Sequence, residues 1–289
     1  MIIVTGANGQ LGRMVVEQLL ARVPAEQVGV SVRDPEKAQV LKERGARVRR
    51  GDFNDPTSLT DAFEGASQVL IVSSNNSRET AVRQHHTAID VARKVGARRI
   101  IYTSHMGSSP ISPFSPMVDH AATEEALRAS GVAFTSLRNG FYATSALMLL
   151  GNALQTGELV APEDGPVAWT AHADLAEVAA IALSEEVLDG VTLPLTASEA
   201  IDLDGIVAIA SELAHRPIQR IVVPDAQYRD SLVTHGFPEE RVDMLLGIFR
   251  ASRQGEFNRV DPTLARLIGR PPMSLRDVLS AAISPVHSR

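Results

Sequence analysis

Three glycines near the start of the chain carry its clearest chemistry. They stand in Thr5-Gly6-Ala7-Asn8-Gly9-Gln10-Leu11-Gly12, directly after the apolar run Ile2-Ile3-Val4 and directly before a helical stripe of Leu11, Val15, Leu19 and Leu20. Strand, Gly-x-x-Gly-x-x-Gly turn and helix in that order open a dinucleotide-binding βαβ unit. Gly6 permits the tight turn off the strand. Gly9 lets the backbone approach a pyrophosphate, and Gly12 lets the helix pack closely on the strand. The helix start then presents unpaired N–H groups and a positive dipole end to the phosphates. Gly6, Asn8, Gly9, Gln10 and Leu11 are therefore the first cofactor-binding candidates.

Arg33 decides which dinucleotide is expected. It closes the second apolar run, Gln27 to Val32, 21 residues after Gly12. At about this remove an acidic residue holds the ribose 2′-OH of NAD, whereas an arginine accommodates the 2′-phosphate of NADP. The guanidinium fork of Arg33 matches a phosphate. Neighbouring Asp34 is explained as the cap of a helix that Pro35 opens. NADPH is therefore favoured over NADH. Asp52 and Phe53 follow the third strand and could hold an adenine by a carboxylate contact and ring packing. Ser73 and Ser74 follow the fourth strand, and Thr103 and Ser104 the fifth, on the rim where the nicotinamide half should run.

Further along, Asn139, Phe141 and Tyr142 follow the sixth strand. Asn139 is expected on the nicotinamide side, with the two rings walling a substrate pocket. Met106, Phe114 and Met117 lie on a Ser/Pro-rich stretch that reads as a mobile flap, with Met106 and Phe114 as substrate-side candidates. His85 and His86 are adjacent on a helix, about 100° apart, and cannot readily share one metal. Asp174 reads as a helix cap. No metal motif and no nucleophile elbow is found.

The elements needed to position these groups follow from periodicity. Strands are expected at Gln27–Val32, Ala46–Val48, Gln68–Val72, Arg99–Thr103 and Ala133–Leu137. Helices are expected at Pro35–Arg44, from Asp55-Pro56 through Phe63, and at Thr80–Val95 and Val118–Ser130. Such alternation implies an α/β fold, a doubly wound parallel sheet covered on both faces. The unit spans residues 1–140, with segments around 165–195 returning to it. Residues 141–289 read as a smaller C-terminal α/β lobe, walling one side of the crevice beyond the strand ends. Its helices are expected at Ser145–Gln155, Asp174–Ser184, Leu203–His215, Asp225–Thr234, Glu239–Ser252 and Pro262–Ile268, with strands at Val191–Leu195 and Ile218–Val222.

Composition narrows the classes. With 289 residues, 44% of them hydrophobic, the chain can bury a sizeable core. Its net charge of −6 and lack of any basic block argue against nucleic acid as a partner. The absence of cysteine removes disulfides, thiolate nucleophiles and Cys-based metal sites. No charged leader precedes the first strand and no apolar run is long enough for a bilayer span, so a cytoplasmic location is expected. Assembly as a homodimer is left open.

The glycine turn, Val32-Arg33-Asp34-Pro35-Glu36-Lys37-Ala38, Gly51-Asp52-Phe53, Tyr102-Thr103-Ser104 and Leu137-Arg138-Asn139-Gly140-Phe141-Tyr142 together resemble the NmrA-like group of atypical short-chain dehydrogenase/reductase proteins. Within it the chain is most similar to bacterial type 2 NADPH:quinone oxidoreductases and triphenylmethane reductases. Late markers such as Asp174-Leu175-Ala176 and Leu264 to Gly269 extend the likeness along nearly the whole chain. The resemblance implies a Rossmann-like domain, NADPH, and a small aromatic acceptor such as a quinone or dye.

The wider superfamily carries Tyr-x-x-x-Lys after strand five. Here His120 occupies the Lys place and Pro116 the Tyr place. The run His120-Ala121-Ala122-Thr123-Glu124 resembles the His-x-x-Thr-Glu of the quinone-reductase group. The acid–base mechanism of sugar epimerases and alcohol dehydrogenases therefore does not carry over. Hydride delivery to an electron-poor ring needs mainly orientation. His120 is the catalytic candidate, bonding the nicotinamide ribose or polarising the acceptor oxygen. The alternative is an NmrA-like protein that binds NADP(H) as a sensor and catalyses nothing.

Overall fold

In the computed structural model, which describes residues 1–76, 78–185 and 188–283, the apolar runs become strands of a parallel sheet. Strand β1 (Ile2–Thr5) leads through the glycine turn into α1 (Gln10–Leu20). Then come β2 (Val28–Val32), α2 (Gln39–Glu43), β3 (Arg47–Arg50), α3 (Pro56–Ala62), β4 (Gln68–Ile71) and α4 (Arg78–Lys94). Strand β5 (Arg99–His105), α5 (Ser115–Ala129) and β6 (Ala133–Asn139) complete the series. The sheet order is Gly190–Val191, β6, β5, β4, β1, β2, β3, every pair parallel. Every residue of β1, β2, β4 and β5 is buried, as expected where helices cover both faces. Edge strand β3 carries Arg47, Arg49 and Arg50, charges that discourage edge-to-edge pairing. The order reverses between β1 and β4, and ligands of such sheets bind beyond the strand ends at that reversal.

The chain divides into two compact units. The first comprises Met1–Pro110, Pro116–Asn139 and His172–Leu195 and holds the sheet. Leu11, Val15, Val16 and Leu19 of α1 are buried, and α1 packs against the Ala-rich helix His172–Ser184. Each fully buried Val or Leu there stabilises the unit by roughly 2 kcal/mol. The second unit comprises Ile111–Ser115, Gly140–Ala171 and Thr196–Arg289. Among its described residues are helices Ala143–Leu150, Leu203–Leu213, Asp225–Thr234 and Glu239–Arg253, and a parallel pair of strands, Glu158–Ala161 with Gln219–Val222.

Several elements differ from expectation. The helix expected at Ser145–Gln155 breaks at Gly151, whose φ of 52° ends Ala143–Leu150 before a short turn at Ala153–Thr156. Of the expected strand Val191–Leu195 only Val191 pairs regularly, in the two-residue strand Gly190–Val191, and Leu195 makes an isolated bridge to Asn139. Asp34 precedes a tight 3-10 turn, Pro35–Ala38, yet makes no capping bond; its carboxylate faces Lys37 at 3.4 Å. Asp174 is not a cap either: the helix starts at His172, which puts Asp174 inside the first turn, fully buried. The Ser/Pro-rich stretch is packed rather than a flap. Ser109 N–H donates to the Met117 carbonyl, Met117 is fully buried, and the Ser112 hydroxyl donates to Glu256 while accepting from Phe114 N–H.

Candidate functional site

The glycine turn is built as its spacing demands. Gly6 has φ of 64°, a left-handed conformation that glycine adopts without strain. Gly9 N–H donates to the Gly6 carbonyl at 2.9 Å and Gly9 sits at the N-cap of α1, where no side chain caps the helix. The first-turn N–H groups at Gln10 and Leu11 thus lack an intrahelical acceptor. A methyl group on Gly12 would lie 2.5 Å from the Gly6 carbonyl oxygen, so only glycine allows this helix to start so close to β1. The Leu11 side chain belongs to the core at 5% exposure, leaving its backbone N–H as what it can offer. Asn8 donates its amide to the Asp34 carbonyl at 2.8 Å and ties the turn to the end of β2.

Arg33 follows β2, exposed, with no hydrogen-bond or ion-pair partner among the described residues. By contrast Arg50, at the end of neighbouring β3, is paired with Asp55. Asp52 closes a local turn, its carboxylate accepting from Asn54 N–H at 2.9 Å, and half-buried Phe53 packs on the core.

Hydroxyl groups lock the strand ends in register. Thr5 Oγ1 accepts from Val72 N–H and Thr103 Oγ1 accepts from Ser73 N–H, both at 2.9 Å. Ser74 N–H donates to His85 Nε2 at 2.9 Å, and its hydroxyl donates to Gln84. Ser104 is buried and donates to Glu124 at 2.7 Å. Thr103 and Ser104 therefore spend their hydroxyls inside the unit, whereas Ser73 and Ser74 keep half-exposed positions on the rim. Asn139 is buried, and its Oδ1 has no hydrogen-bond partner among the described residues.

One face of α5 turns polar groups onto the sheet. His120, Thr123 and Glu124 share it by i, i+3, i+4 spacing. The Glu124 carboxylate, 2% exposed, accepts from Ser104, from Ser136 at 3.0 Å, and from Arg138 at 2.8 and 3.1 Å. Burial disfavours its charge, but the guanidinium and hydroxyls outweigh that and hold the carboxyl below the usual range. His120 Nδ1 lies 2.7 Å from the Tyr102 hydroxyl, and its ring stacks on His105 with centroids 6.1 Å apart. Burial pushes His120 down to about 4 and His105 well below its ordinary value. His85 is likewise lowered to about 3, by burial first and then by neighbouring histidines. All three rings are neutral at physiological pH.

Phe114 and Phe141, expected as substrate contacts, are 7% exposed and lie in the second unit's own aromatic core. Their rings stack with centroids 5.8 Å apart, and Phe257 and Trp169 pack edge-on to Phe141 at 5.1 and 5.3 Å. Tyr142 is half-buried at the start of helix Ala143–Leu150. Met106, in the first unit, is buried and donates its N–H to the Asn139 carbonyl at 2.8 Å.

Comparison with known proteins agrees with this geometry. The family model described as NAD(P)H-binding matches residues 6–186. The chain belongs to the NAD(P)H-binding family. It is 34% identical to quinone oxidoreductase 2 of Escherichia coli, over 97% of this chain and 98% of that protein. Among solved structures it is similar to an E. coli NADPH-dependent quinone oxidoreductase complexed with NADPH, with a TM-score of 0.92, 33% identity, and coverage of 98% of this chain and 100% of that one. A Citrobacter triphenylmethane reductase complexed with NADP(H) gives a TM-score of 0.88 at 32% identity, covering 98% and 100%. These are the relatives to which the sequence motifs pointed.

The residues present fit a dinucleotide of this family: free N–H groups at α1 and, among the described residues, an unpaired strand-end arginine and a buried amide oxygen without a donor. Sequence reading passed over two partners, Tyr102 and His105. The signal for His105 was its place at the carboxyl end of β5, beside Thr103 and Ser104. The Glu124 clamp had a signal too, because Ser136 and Arg138 fall on one face of β6. No described helix is long and apolar enough to cross a membrane, and no described group of three His, Asp or Glu could hold a metal ion.

Proposed function

We propose that the protein is an NADPH-dependent oxidoreductase acting in the cytoplasm on quinones or similar electron-poor aromatic acceptors. The observation that carries this reading is the near-full-length likeness to a quinone oxidoreductase, at 34% identity. The geometry supports it. Bound NADPH supplies a hydride. The chain's own groups bind and orient: the N–H groups after Gly9 take the pyrophosphate, and the Arg33 fork takes the 2′-phosphate. Asp52 and Phe53 flank the adenine end. Ser73 and Ser74 line the rim, with Thr103 and Ser104 holding the strand ends beneath them. Asn139 offers its unpartnered Oδ1 to a carboxamide N–H. His120, neutral, donates a hydrogen bond at the acceptor oxygen or the ribose. Met106, in the same unit as His120, supplies an apolar contact for the acceptor. An electron-poor ring yields a stabilised anion, so water completes protonation and no tyrosine acid is needed.

The test follows loss of NADPH absorbance with a panel of quinones and cationic dyes. Turnover of at least one class is expected. Binding of NADP(H) without turnover across the panel would replace the enzyme by the sensor. Unchanged kinetics in His120→Ala would remove His120 from the mechanism.

A further inference from the structure

His85 and His120 flank Tyr102, and His105 stacks on His120; the hydrogen bonds these rings make bear on where each keeps its proton. His85 Nε2 accepts from Ser74 N–H, so its proton is on Nδ1 and goes to Thr123 Oγ1 at 2.9 Å. Thr123 passes its own proton to the Asp119 carbonyl. His105 Nδ1 accepts from Gly107 N–H at 3.1 Å, inside a buried site. His120 differs. It is half-buried, its Nδ1 faces the hydroxyl of fully buried Tyr102 at 2.7 Å, and its Nε2 bonds to no described residue. A neutral imidazole has one N–H and one lone pair. A phenol facing the ring nitrogen donates to that lone pair, which is the more basic acceptor of the two. Donation in that direction puts the ring proton on Nε2.

We propose that Tyr102 is a positioning residue that holds His120 as its Nε2–H tautomer, so that α5 presents one fixed, neutral N–H donor to a carbonyl oxygen of the acceptor. The donor stabilises charge building on that oxygen and keeps its proton. It therefore favours acceptors that carry the charge on oxygen. An acceptor that takes hydride at a cationic carbon develops no such charge and gains nothing from it. The tautomer stands on the geometry alone; its use at the acceptor rests on the reductase reading above.

The test begins with long-range proton–nitrogen NMR spectra of protein labelled at the histidine rings, with His120→Gln assigning the signals. Wild-type His120 should show the Nε2–H pattern, and Tyr102→Phe should shift it toward a mixture or Nδ1–H. An Nδ1–H ring in the wild type, or a ring indifferent to Tyr102→Phe, overturns the proposal. The wild-type spectrum decides the tautomer even if the variant does not fold. In kinetics, Tyr102→Phe should lower kcat on quinones about tenfold. Its kcat on a cationic triphenylmethane dye and its Kd for NADPH should be unchanged. Equal losses on both acceptors overturn the donor role. Should the wild type reduce neither, the reductase reading fails, and the spectra, which need no substrate, still decide the tautomer.

Discussion

Replacing Glu124 by Gln tests whether the polar face of α5 holds β5 and β6 together. The isosteric amide keeps one acceptor oxygen for Ser104, Ser136 and the Arg138 Nε. It sets an NH2 where Oε2 now accepts from Arg138 Nη2 at 2.8 Å. One charge-assisted bond is lost and two donors face each other. A bond to a charged group contributes about 1.5–3 kcal/mol. Stranding the partner of a buried ion pair costs about 3–5 kcal/mol. Arg138, however, keeps 29% of its side chain exposed and can rehydrate, which favours the lower range. The expected loss is therefore about 2–3 kcal/mol. Urea unfolding by circular dichroism gives the total, and hydrogen exchange of β5 and β6 peptides localises it. The loss must also depend on pH. The native carboxyl is held below its ordinary 4.5, so its contribution is complete above that value and fades as pH falls through the native one. The gap between wild type and Glu124→Gln should be flat above about pH 5 and close in stronger acid. A variant within about 0.5 kcal/mol of wild type, or a gap unchanged in acid, would refute the clamp.

Arg33→Ala should weaken NADPH at least about tenfold while sparing NADH, because the lost contact is a charge-assisted one to the 2′-phosphate; calorimetric Kd values decide, and equal losses mean Arg33 does not read that group. Gly12→Ala would press a methyl against the Gly6 backbone at 2.5 and 2.8 Å, costing roughly 1–3 kcal/mol in thermal melts. Gly9→Ala meets only the Gly6 carbonyl oxygen, at 3.3 Å, and should leave the fold nearly intact while weakening cofactor binding. Four histidines of the first unit are lowered, chiefly by burial: His85 to about 3, His120 and His172 to about 4, and His105 well below 6.5. Unfolding exposes them to protons that the native state excludes, so stability is full above about pH 6.5 and lost as pH falls, by about 1.4 kcal/mol per pH unit for each ring. His105→Asn should lower that slope by about one proton; an unaltered slope would mean His105 is already charged or exposed.

The cofactor half of the site was legible because its signals are local. A left-handed Gly6, a helix beginning at Gln10 and an arginine closing β2 are each set by a few consecutive residues, and apolar runs of four or five mark strands buried on both faces. The misreadings came where distant packing overrides local preference. Asp34 and Asp174 are good capping residues by type, yet one faces Lys37 and the other lies within a first turn. For Phe114 and Phe141, expected on the substrate side, local sequence does not show the packing they also make. Both rings pack against Phe257, more than a hundred positions away, which no short window reveals.

The polar face of α5 shows the same limit in a more useful form. An apolar stripe would have announced how this helix sits on the sheet; here Met117 and Leu127 bracket His120, Thr123 and Glu124 instead. A polar residue facing a sheet is costly unless bonded. Each of these three finds a partner on another element: Tyr102 on β5, His85 on α4, and Ser136 with Arg138 on β6. Thr123 and Glu124 are consumed in doing so. His120 alone among them is not fully buried and has a ring nitrogen without a partner among the described residues, so the network that looks structural also selects which side chain can act. That is a physical reason to look for chemistry at His120 although the superfamily's tyrosine is missing, and it makes Tyr102, buried inside its strand, the residue on which that chemistry depends.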